Sequence, residues 1–216
     1  VEVLYNCIDA QKYQKSDTIN MRSKYQIEDN AIVVGYVGRI TQEKGILELI
    51  KSIKKVKTEK NIKLLIVGAQ WYSALIIDDY MKQIAEEIKG IEDKIIFLGY
   101  IEQENMANIY EIMDIVAVPS LCEEAFGCVA IEAMAMGKPV VVAESGGLPE
   151  IVKESFGFVI PKDEKFTENL AKKLEILIND EELRKEYGKQ AKDEFENNKD
   201  YHKEQYFRNF VDLISK

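Results

Sequence analysis

Glu132 is a carboxylate in a segment where a charge is unexpected. It is the only charged side chain between Ala125 and Gly137, in the stretch EEAFGCVAIEAMAMG. After Phe126 this stretch predicts a helix, and a helix that is apolar all round is buried. A buried carboxylate is costly unless it is paired or hydrogen-bonded. Glu132 could accept both hydroxyls of a sugar diol, or it could pair with a structural cation or helix end, and burial alone does not choose between them.

A second glutamate, Glu124, stands eight positions before Glu132 and precedes the predicted helix. The first N–H groups of a helix have no partners within the helix. We therefore expect Gly127 and the N–H groups of Cys128 and Val129 to point at any ligand in front of Glu124.

Two cations, Arg39 and Lys44, occupy a loop that reads GRITQEKG from Gly38 to Gly45. Arg39 follows a predicted strand, and Lys44 precedes a predicted helix whose N-terminus attracts anions. This pair suits a diphosphate; the alternative is that both are solvated surface charges. The loop matches neither GxGxxG nor the Walker A motif, which weakens a nicotinamide-binding interpretation.

Short apolar runs alternate with amphipathic helices along the chain. The runs predict six strands, at Ala31–Gly38, Lys63–Gly68, Lys94–Tyr100, Ile115–Ser120, Pro139–Glu144 and Phe156–Ile160. Helices are predicted at Gly45–Glu59, Ser73–Lys89, Asn105–Met113, Phe126–Met136 and Leu148–Val152, and after Pro161 with breaks near Asn179–Asp180 and Asn197–Asp200. This alternation is typical of an α/β fold, a doubly wound, Rossmann-like parallel sheet with helices on both faces.

Such sheets bind ligands outside the carboxyl ends of their strands, where the Arg39–Lys44 loop and the Glu124 loop lie. The loop after Leu98 also lies there. Its Gly99 permits close approach of the backbone, and the main chain near Ile101 could meet a flat ligand. Taken alone, however, this loop is better explained as an ordinary strand-to-helix turn.

The loop SGGLPE after Glu144 is a further candidate. Its two glycines allow positive φ and close contact with a ligand. The alternative is a plain loop in which Ser145 caps the next helix.

Composition argues against several classes of function. The chain has 216 residues, 46% of them hydrophobic and 31% charged, and a net charge of −9, which disfavours nucleic acid as a partner. No His/Cys/Asp cluster has metal-ligand spacing, and no Ser or Cys nucleophile has a histidine partner in the sheet-edge loops. The single histidine, His202, lies in the polar tail and is expected at the surface. Three cysteines without CxxC spacing suggest reduced thiols in a cytoplasmic protein, and no window is apolar enough to span a membrane.

Four motifs taken together closely resemble the C-terminal domain of glycosyltransferase family 4, the retaining group 1 glycosyltransferases of the GT-B fold. They are VGRITQEKG, FLGYIEQENM, PSLCEEAFGCVAIEAMAMGKPVV and GGLPEIV. The third is the most specific, because it contains the family's E-x7-E pattern at Glu124 and Glu132. The resemblance runs from YNCID, residues 5–9, to about Pro161.

The resemblance implies a nucleoside-diphosphate sugar as substrate, linked to UDP, GDP or ADP, with no cofactor and no metal. It assigns Arg39 and Lys44 to the diphosphate, Glu124 to the donor sugar and Glu132 to the ribose hydroxyls. The backbone of Ile101 would meet the base. Glu124, Arg39 and Lys44 are the predicted catalytic residues, since cations at the diphosphate stabilise the departing nucleoside diphosphate. The loop backbone beside the sugar and phosphate would be that of Phe126, Gly127, Cys128 and Val129.

The same resemblance predicts three parts. Residues 1–30 would be a hinge or connecting segment from an N-terminal domain that this chain lacks. Residues 31–161 would be the nucleotide-sugar-binding domain, and residues 162–216 would be helices that cross back to the missing domain. Cys7 stands where the family's NGxD hinge has glycine, so the hinge conformation is expected to differ. The tail is expected to present an apolar face that is exposed or pairs with another copy, and this face consists of Tyr201, Tyr206, Phe207, Phe210 and Val211.

We therefore predict the donor-binding domain of a hexosyltransferase that acts on a glycan or lipid-linked acceptor in cell-surface polysaccharide synthesis. Alone, the chain is expected to bind donor weakly and not to transfer sugar. A cytoplasmic location is expected, with contact to the inner face of the membrane only through the missing domain. Two alternatives remain open. One is a sugar-nucleotide epimerase of the same fold, which would lack this E-x7-E context, and the other is a non-catalytic nucleotide-binding module, because a doubly wound domain alone proves no activity.

Overall fold

A six-stranded sheet forms the centre of the computed structural model, which describes residues 3–14, 21–69 and 78–215. Its strands are β1 (Ile32–Val37), β2 (Ile62–Val67), β3 (Ile95–Gly99), β4 (Ile115–Val118), β5 (Val140–Ala143) and β6 (Gly157–Ile160). Every neighbouring pair is parallel, and the strand order is β3-β2-β1-β4-β5-β6. The predicted doubly wound, Rossmann-like α/β fold is therefore confirmed.

The continuous apolar runs in the sequence follow from burial on both faces of the sheet. In β4, Val116 and Val118 face one hydrophobic layer, while Ile115 and Ala117 face the other. All four residues of β4 and all four of β5 are buried. At the edge of the sheet β3 is only partly buried, and its Phe97 is exposed.

The helices form two layers, one on each face. They are α1 (Met21–Lys24), α2 (Ile46–Lys55), α3 (Asp79–Glu87), α4 (Met106–Ile112), α5 (Cys128–Ala135), α6 (Leu148–Ile151), α7 (Phe166–Asn179), α8 (Glu181–Asn197) and α9 (Lys203–Ile214). One face of the sheet packs on α4, α5, α6 and α8, and the other packs on α2, α3 and α7. The predicted breaks after α7 and α8 are confirmed, and the Asp180 side chain between α7 and α8 accepts a hydrogen bond from the N–H of Leu183 at 2.9 Å.

Three predicted helices have different bounds in the structure. The helix expected to run to Glu59 ends at Lys55. The helix expected from Ser73 is seen from Asp79, with Asp78 as its N-cap, and the earlier part of that prediction lies outside the described residues. α5 begins at Cys128 rather than Phe126, because Gly127 has a φ of 109°, which no right-handed helix contains.

The connecting segment is tied to the sheet by Arg22 on α1. Its guanidinium donates to the carbonyls of Ala31 at 2.9 Å and Ile112 at 3.2 Å, and to the Asp114 carboxylate at 2.8 Å. The same Asp114 oxygen accepts the N–H of Val33 at 2.8 Å, at the start of β1. One arginine thus links the segment to two adjacent strands.

The two ends of the described chain meet. The N–H of Ile8 donates to the Tyr201 carbonyl at 3.0 Å, and Ile8 forms an isolated parallel bridge with His202. Gln26 is the one non-glycine residue with positive φ among the described residues, so Cys7 occupies the glycine position of the hinge motif without positive φ.

Three residues of the tail, Tyr201, His202 and Tyr206, are less exposed than expected. Tyr201 is only 5% exposed, because its ring packs edge-on against Phe126. His202 is half-buried: its Nε2 lies 2.9 Å from the Phe195 carbonyl, and its ring stacks on Phe195. In α9, Tyr206 is half-buried, while Phe207, Phe210 and Val211 are exposed as expected. None of the helices in the described ranges combines the length and the apolar character needed to cross a membrane.

Candidate functional site

Two contiguous cavities lie at the carboxyl edge of the sheet, where β1 and β4 are neighbours and the chain reverses its direction of winding. The larger has a volume of about 560 Å³ and the smaller about 300 Å³. Val37, Gly38 and Val129 line both cavities. This is the position at which doubly wound sheets bind ligands.

Lys44 and Glu124 meet in the smaller cavity. The Lys44 Nζ lies 2.5 Å from Oε1 of Glu124, and the Ser120 hydroxyl donates to the same oxygen. Both charged side chains are about one-fifth exposed. The structure therefore brings the predicted diphosphate cation and the predicted sugar carboxylate into direct contact.

Gly45 allows the Lys44 loop to approach the end of β4. It has a φ of 70°, and a Cβ at this position would lie 1.9 Å from the Pro119 carbonyl oxygen. The N–H groups of Leu121 and Cys122 both donate to the Glu43 carbonyl, at 2.8 and 3.1 Å. These backbone contacts hold the Lys44 loop beside the loop that carries Glu124.

The glycines of SGGLPE support the backbone of Glu124 from behind. The N–H of Gly147 donates to the Glu124 carbonyl at 2.9 Å, and a Cβ on Gly146 would lie 1.9 Å from that oxygen. The Ser145 hydroxyl donates to the Cys122 carbonyl and accepts the N–H of Glu124 at 3.3 Å. The alternative that Ser145 caps the next helix is wrong, since Gly147 is the N-cap of α6 and makes no side-chain cap.

Glu123 and Lys162 anchor the outer side of the same loop. The Lys162 Nζ lies 2.6 Å from Oε1 of Glu123, and the N–H of Gly146 donates to Oε2 at 2.7 Å. The hydrogen bond from Lys162 is the main cause that lowers the pKa of Glu123. Lys162 follows β6, so a strand two places away from β4 contributes to the Glu124 loop.

The first turn of α5 faces the smaller cavity. Gly127, Cys128 and Val129 line it, and Gly127 has little space for a side chain because a Cβ would lie 2.4 Å from Leu148. Phe126 also reaches this cavity, but its ring is buried against Tyr5, 5.8 Å between ring centroids. The backbone of Phe126, rather than its ring, is the part available to a ligand.

Glu132 lies in the larger cavity and is held by tyrosines. The Tyr110 hydroxyl donates to its Oε2 at 2.7 Å, and the Tyr13 hydroxyl lies near the same carboxylate. Burial raises the pKa of Glu132, and the two tyrosine hydrogen bonds oppose that rise. In the described part of the chain no ion pair includes Glu132, so the structure does not provide the cation that one interpretation of the sequence required.

Arg39 and Ile101 lie in the larger cavity with Glu132, apart from Lys44. The Arg39 side chain is 59% exposed, and its guanidinium lies 2.7 Å from Oε1 of Glu43. Ile101 is half-buried beside Gln103 and Met106. The predicted site thus divides into Lys44 with Glu124 in one cavity and Arg39, Ile101 and Glu132 in the other. In the described ranges no group of three or more His, Cys, Asp or Glu side chains is placed to hold a metal ion.

A family model for glycosyl transferases group 1 matches residues 17–194, well over half of the chain. The chain belongs to this family. The predicted resemblance is confirmed.

Two proteins show what this group 1 glycosyltransferase chain resembles, the first in sequence and the second in fold. The lipopolysaccharide 1,2-N-acetylglucosaminetransferase of Salmonella typhimurium is 38% identical over 154 residues, which cover 70% of this chain and 40% of the relative. A crystal structure of Anabaena HepE in complex with UDP and glucose matches with a TM-score of 0.86 and 26% identity, over 99% of this chain and 56% of HepE.

A third comparison concerns a single domain. The crystallised C-terminal domain of a group 1 glycosyltransferase from Francisella tularensis matches with a TM-score of 0.73 and 28% identity, over 88% of this chain and 97% of that domain. By contrast, the group 1 chain described here spans less than half the length of the first curated relatives that it matches.

Sequence reasoning missed four residues of this group 1 site: Ser120, Tyr13, Tyr110 and Lys162. Ser120 ends a predicted strand at the correct edge of the sheet, and its position could have suggested it. Tyr110 lies within the predicted helix Asn105–Met113, where an aromatic residue is expected to pack in the core. Tyr13 and Lys162 are far from Glu132 and Glu123 in sequence, and no local pattern links them.

Proposed function

We propose that the chain is the donor-binding half of a retaining, metal-independent glycosyltransferase. It would bind a nucleoside-diphosphate sugar and present a hexose-type sugar to a glycan or lipid-linked acceptor, in the synthesis of a cell-surface polysaccharide. The observation that carries this proposal is the pair of contiguous cavities, one with the Lys44–Glu124 ion pair and the other with a half-buried Glu132.

The division of the cavities matches the parts of such a donor. We assign the ribose to Glu132 and the base to the backbone of Ile101, both in the larger cavity. The sugar belongs to Glu124 in the smaller cavity. The diphosphate would cross between them, beside the shared Gly38, with Arg39 and Lys44 on it.

The first turn of α5 would assist these cations. The N–H groups of Cys128 and Val129 begin an eight-residue helix whose dipole favours negative charge at this end. As the bond to the sugar breaks, negative charge grows on the departing nucleoside diphosphate. Groups fixed in place for that charge lower the barrier because they need no reorganisation. Two protein cations and a helix N-terminus supply this stabilisation without a metal ion.

The comparisons support the substrate class. HepE, which matches nearly the whole chain, was crystallised with UDP and glucose and also with UDP-glucose. The Salmonella relative is named for transfer of N-acetylglucosamine within lipopolysaccharide. A nucleotide sugar as substrate and a surface glycan as product are consistent with both.

We propose further that the acceptor site and part of the donor site belong to sequence outside this chain. The relatives are more than twice as long as the segments that match. The isolated chain would then bind donor weakly and transfer no sugar. The three cysteines are free thiols, which agrees with a cytoplasmic location for the full-length protein.

Calorimetric titration of the chain with UDP, GDP and ADP, each with and without its linked glucose, tests this proposal. One nucleotide should bind, and Arg39→Ala and Lys44→Ala should each weaken it about tenfold or more. Lys185→Ala is the matched control, because this exposed α8 lysine pairs with Glu181 away from both cavities. Equal affinity for a nucleotide and its sugar conjugate, with no effect of Glu124→Gln, would favour a nucleotide-binding module instead.

A further inference from the structure

The carboxylate of Glu132 has two tyrosine hydroxyls beside it that come from different parts of the chain. Tyr110 is on α4, which packs on one face of the sheet, and its hydroxyl donates to Oε2 of Glu132 at 2.7 Å. Tyr13 belongs to the connecting segment, and its hydroxyl lies near enough to the same carboxylate to lower its pKa. The two tyrosine rings also pack against each other, with centroids 6.1 Å apart.

Gln103 fixes the direction of the Tyr13 hydroxyl. The Gln103 side-chain amide donates to the Tyr13 oxygen at 3.0 Å. A hydroxyl that already accepts a hydrogen bond keeps its own proton available as a donor. Tyr13 can therefore donate to Glu132, and Gln103 itself lines the larger cavity beside Ile101.

The local structure holds Tyr13 in place. It closes a short 3₁₀ helix, Ala10–Lys12, whose first turn is capped by the Asp9 side chain on the N–H of Gln11. The Tyr13 side chain is buried, with 5% of the residue exposed. The connecting segment therefore supplies one wall of the carboxylate's surroundings.

The count of hydrogen-bonding positions leaves room for a ligand. An ionised carboxylate offers about four lone-pair positions. The Tyr110 hydroxyl occupies one of them, and a hydrogen bond from Tyr13 would take a second. Two then remain, which is the number that a ribose diol requires. Neither tyrosine brings a positive charge, so the carboxylate keeps its full charge for a ligand.

We propose that Tyr13 and Tyr110 are positioning residues that hold Glu132 ionised and oriented to accept both ribose hydroxyls of the donor. This inference rests on the proposed function. It makes the connecting segment part of the nucleotide site, because a movement of residues 9–13 would remove one of the two hydroxyls from Glu132.

The electrostatic surroundings agree with this role. Burial raises the pKa of Glu132, and the hydrogen bonds from Tyr110 and Tyr13 lower it. The Cys128 thiol on the same helix also lies near this carboxylate, and Arg39 lines the same cavity while pairing with Glu43. Removal of either tyrosine hydroxyl would raise the pKa of Glu132 and favour its protonated form. That form is a poorer acceptor for hydrogen bonds from two ribose hydroxyls.

The first test uses Tyr13→Phe and Tyr110→Phe, which remove only an oxygen, and Tyr187→Phe as the control. Tyr187 lies on α8 and packs on Phe158. Each of the first two variants should weaken UDP binding about tenfold near pH 6, and less at higher pH. Neither should change the affinity for UDP whose ribose lacks the 2′- and 3′-hydroxyls. An equal loss for both ligands would overturn the positioning role while leaving the proposed function intact.

The second test needs no ligand. Glu132 can be titrated by NMR through its carboxyl carbon, with Glu132→Gln to assign the signal. Both tyrosine variants should raise the pKa of Glu132, and Tyr187→Phe should leave it unchanged. An unchanged value in both variants would overturn the positioning role directly. If the wild-type chain binds neither UDP, GDP nor ADP, the proposed function and the ribose assignment fail together, and the titration still decides whether the tyrosines control the ionisation of Glu132.

Discussion

Lys44 and Glu124, 80 positions apart in sequence, form an ion pair that Ser120 joins through the same carboxylate oxygen. The Lys44 ammonium lies 2.5 Å from Oε1 of Glu124, and the Ser120 hydroxyl donates to the same atom. The carboxylate therefore neutralises the cation. Loss of the lysine would leave a poorly solvated negative charge where the diphosphate is proposed to bind.

This arrangement predicts non-additive effects on donor binding. Lys44→Ala should weaken UDP binding about a hundredfold, because it removes an attraction and leaves Glu124 to repel the phosphates. The double variant Lys44→Ala/Glu124→Gln should recover part of that loss. Calorimetric titration of the two single variants, the double variant and the wild type gives the coupling energy. Strict additivity would contradict the shared role of the pair.

Substitution of Gly146, which packs against the Glu124 backbone, is predicted to cost more stability than the unfavourable backbone angle alone. Gly146→Ala would place a Cβ 1.9 Å from the Glu124 carbonyl oxygen, at a φ of 49°. Gly90→Ala is the matched control, because Gly90 also has positive φ, 84°, but nothing lies within 4 Å of its Cβ position. Gly90→Ala should cost about 1–2 kcal/mol of unfolding free energy, the usual penalty for a left-handed residue.

Gly146→Ala should cost clearly more than this control, since strain and collision add. Urea denaturation followed by circular dichroism measures both variants. Equal losses would mean that the Glu124 loop moves aside freely and is not held by the glycine.

The sheet could be predicted from sequence because its strands are buried on both faces. Such strands appear as continuous apolar runs, and each of the six observed strands overlaps its predicted run. Helix bounds were less accurate where a single backbone angle decides them. Because Gly127 has a φ of 109°, α5 begins only at Cys128. Nothing in the local sequence pattern indicates whether a glycine adopts that angle.

The candidate site was predictable only in part. Loops at the carboxyl edge of the sheet identified Arg39, Lys44, Glu124 and Glu132, and all four line the cavities there. Their partners depend on tertiary packing, which periodicity does not contain. Tyr13 reaches Glu132 from a segment expected to be only a connector, and Tyr201 is buried by Phe126 instead of being exposed.

Replacement of Arg22, which ties the connecting segment to the sheet, is predicted to have a large effect on stability. Arg22→Ala should lower the free energy of unfolding by about 2–4 kcal/mol, because it leaves Asp114 without its cation and removes the side-chain donor from the Ala31 and Ile112 carbonyls. Arg22→Lys should lower it less, since one ammonium can replace only part of the guanidinium fork. Lys82→Ala, which removes an exposed lysine paired with Asp79, is the control and should change stability little. A neutral Arg22→Ala would mean that the segment packs without its arginine.

The half-buried Glu132 is predicted to make the stability of the chain depend on pH. Its pKa in the folded chain is raised above the ordinary value of 4.5, chiefly by burial. Between these two values the folded state holds the proton more readily than the unfolded state, so the free energy of unfolding falls as pH rises. The contribution of Glu132 is therefore fully present below about pH 4.5 and is lost as pH rises through the folded pKa. Urea denaturation of the wild type and of Glu132→Gln at a series of pH values from 4 to about 8 isolates this contribution, because Gln does not titrate. The wild type should lose stability relative to Glu132→Gln across that window, whereas a constant difference would show that Glu132 is as easily ionised in the folded chain as in the unfolded one.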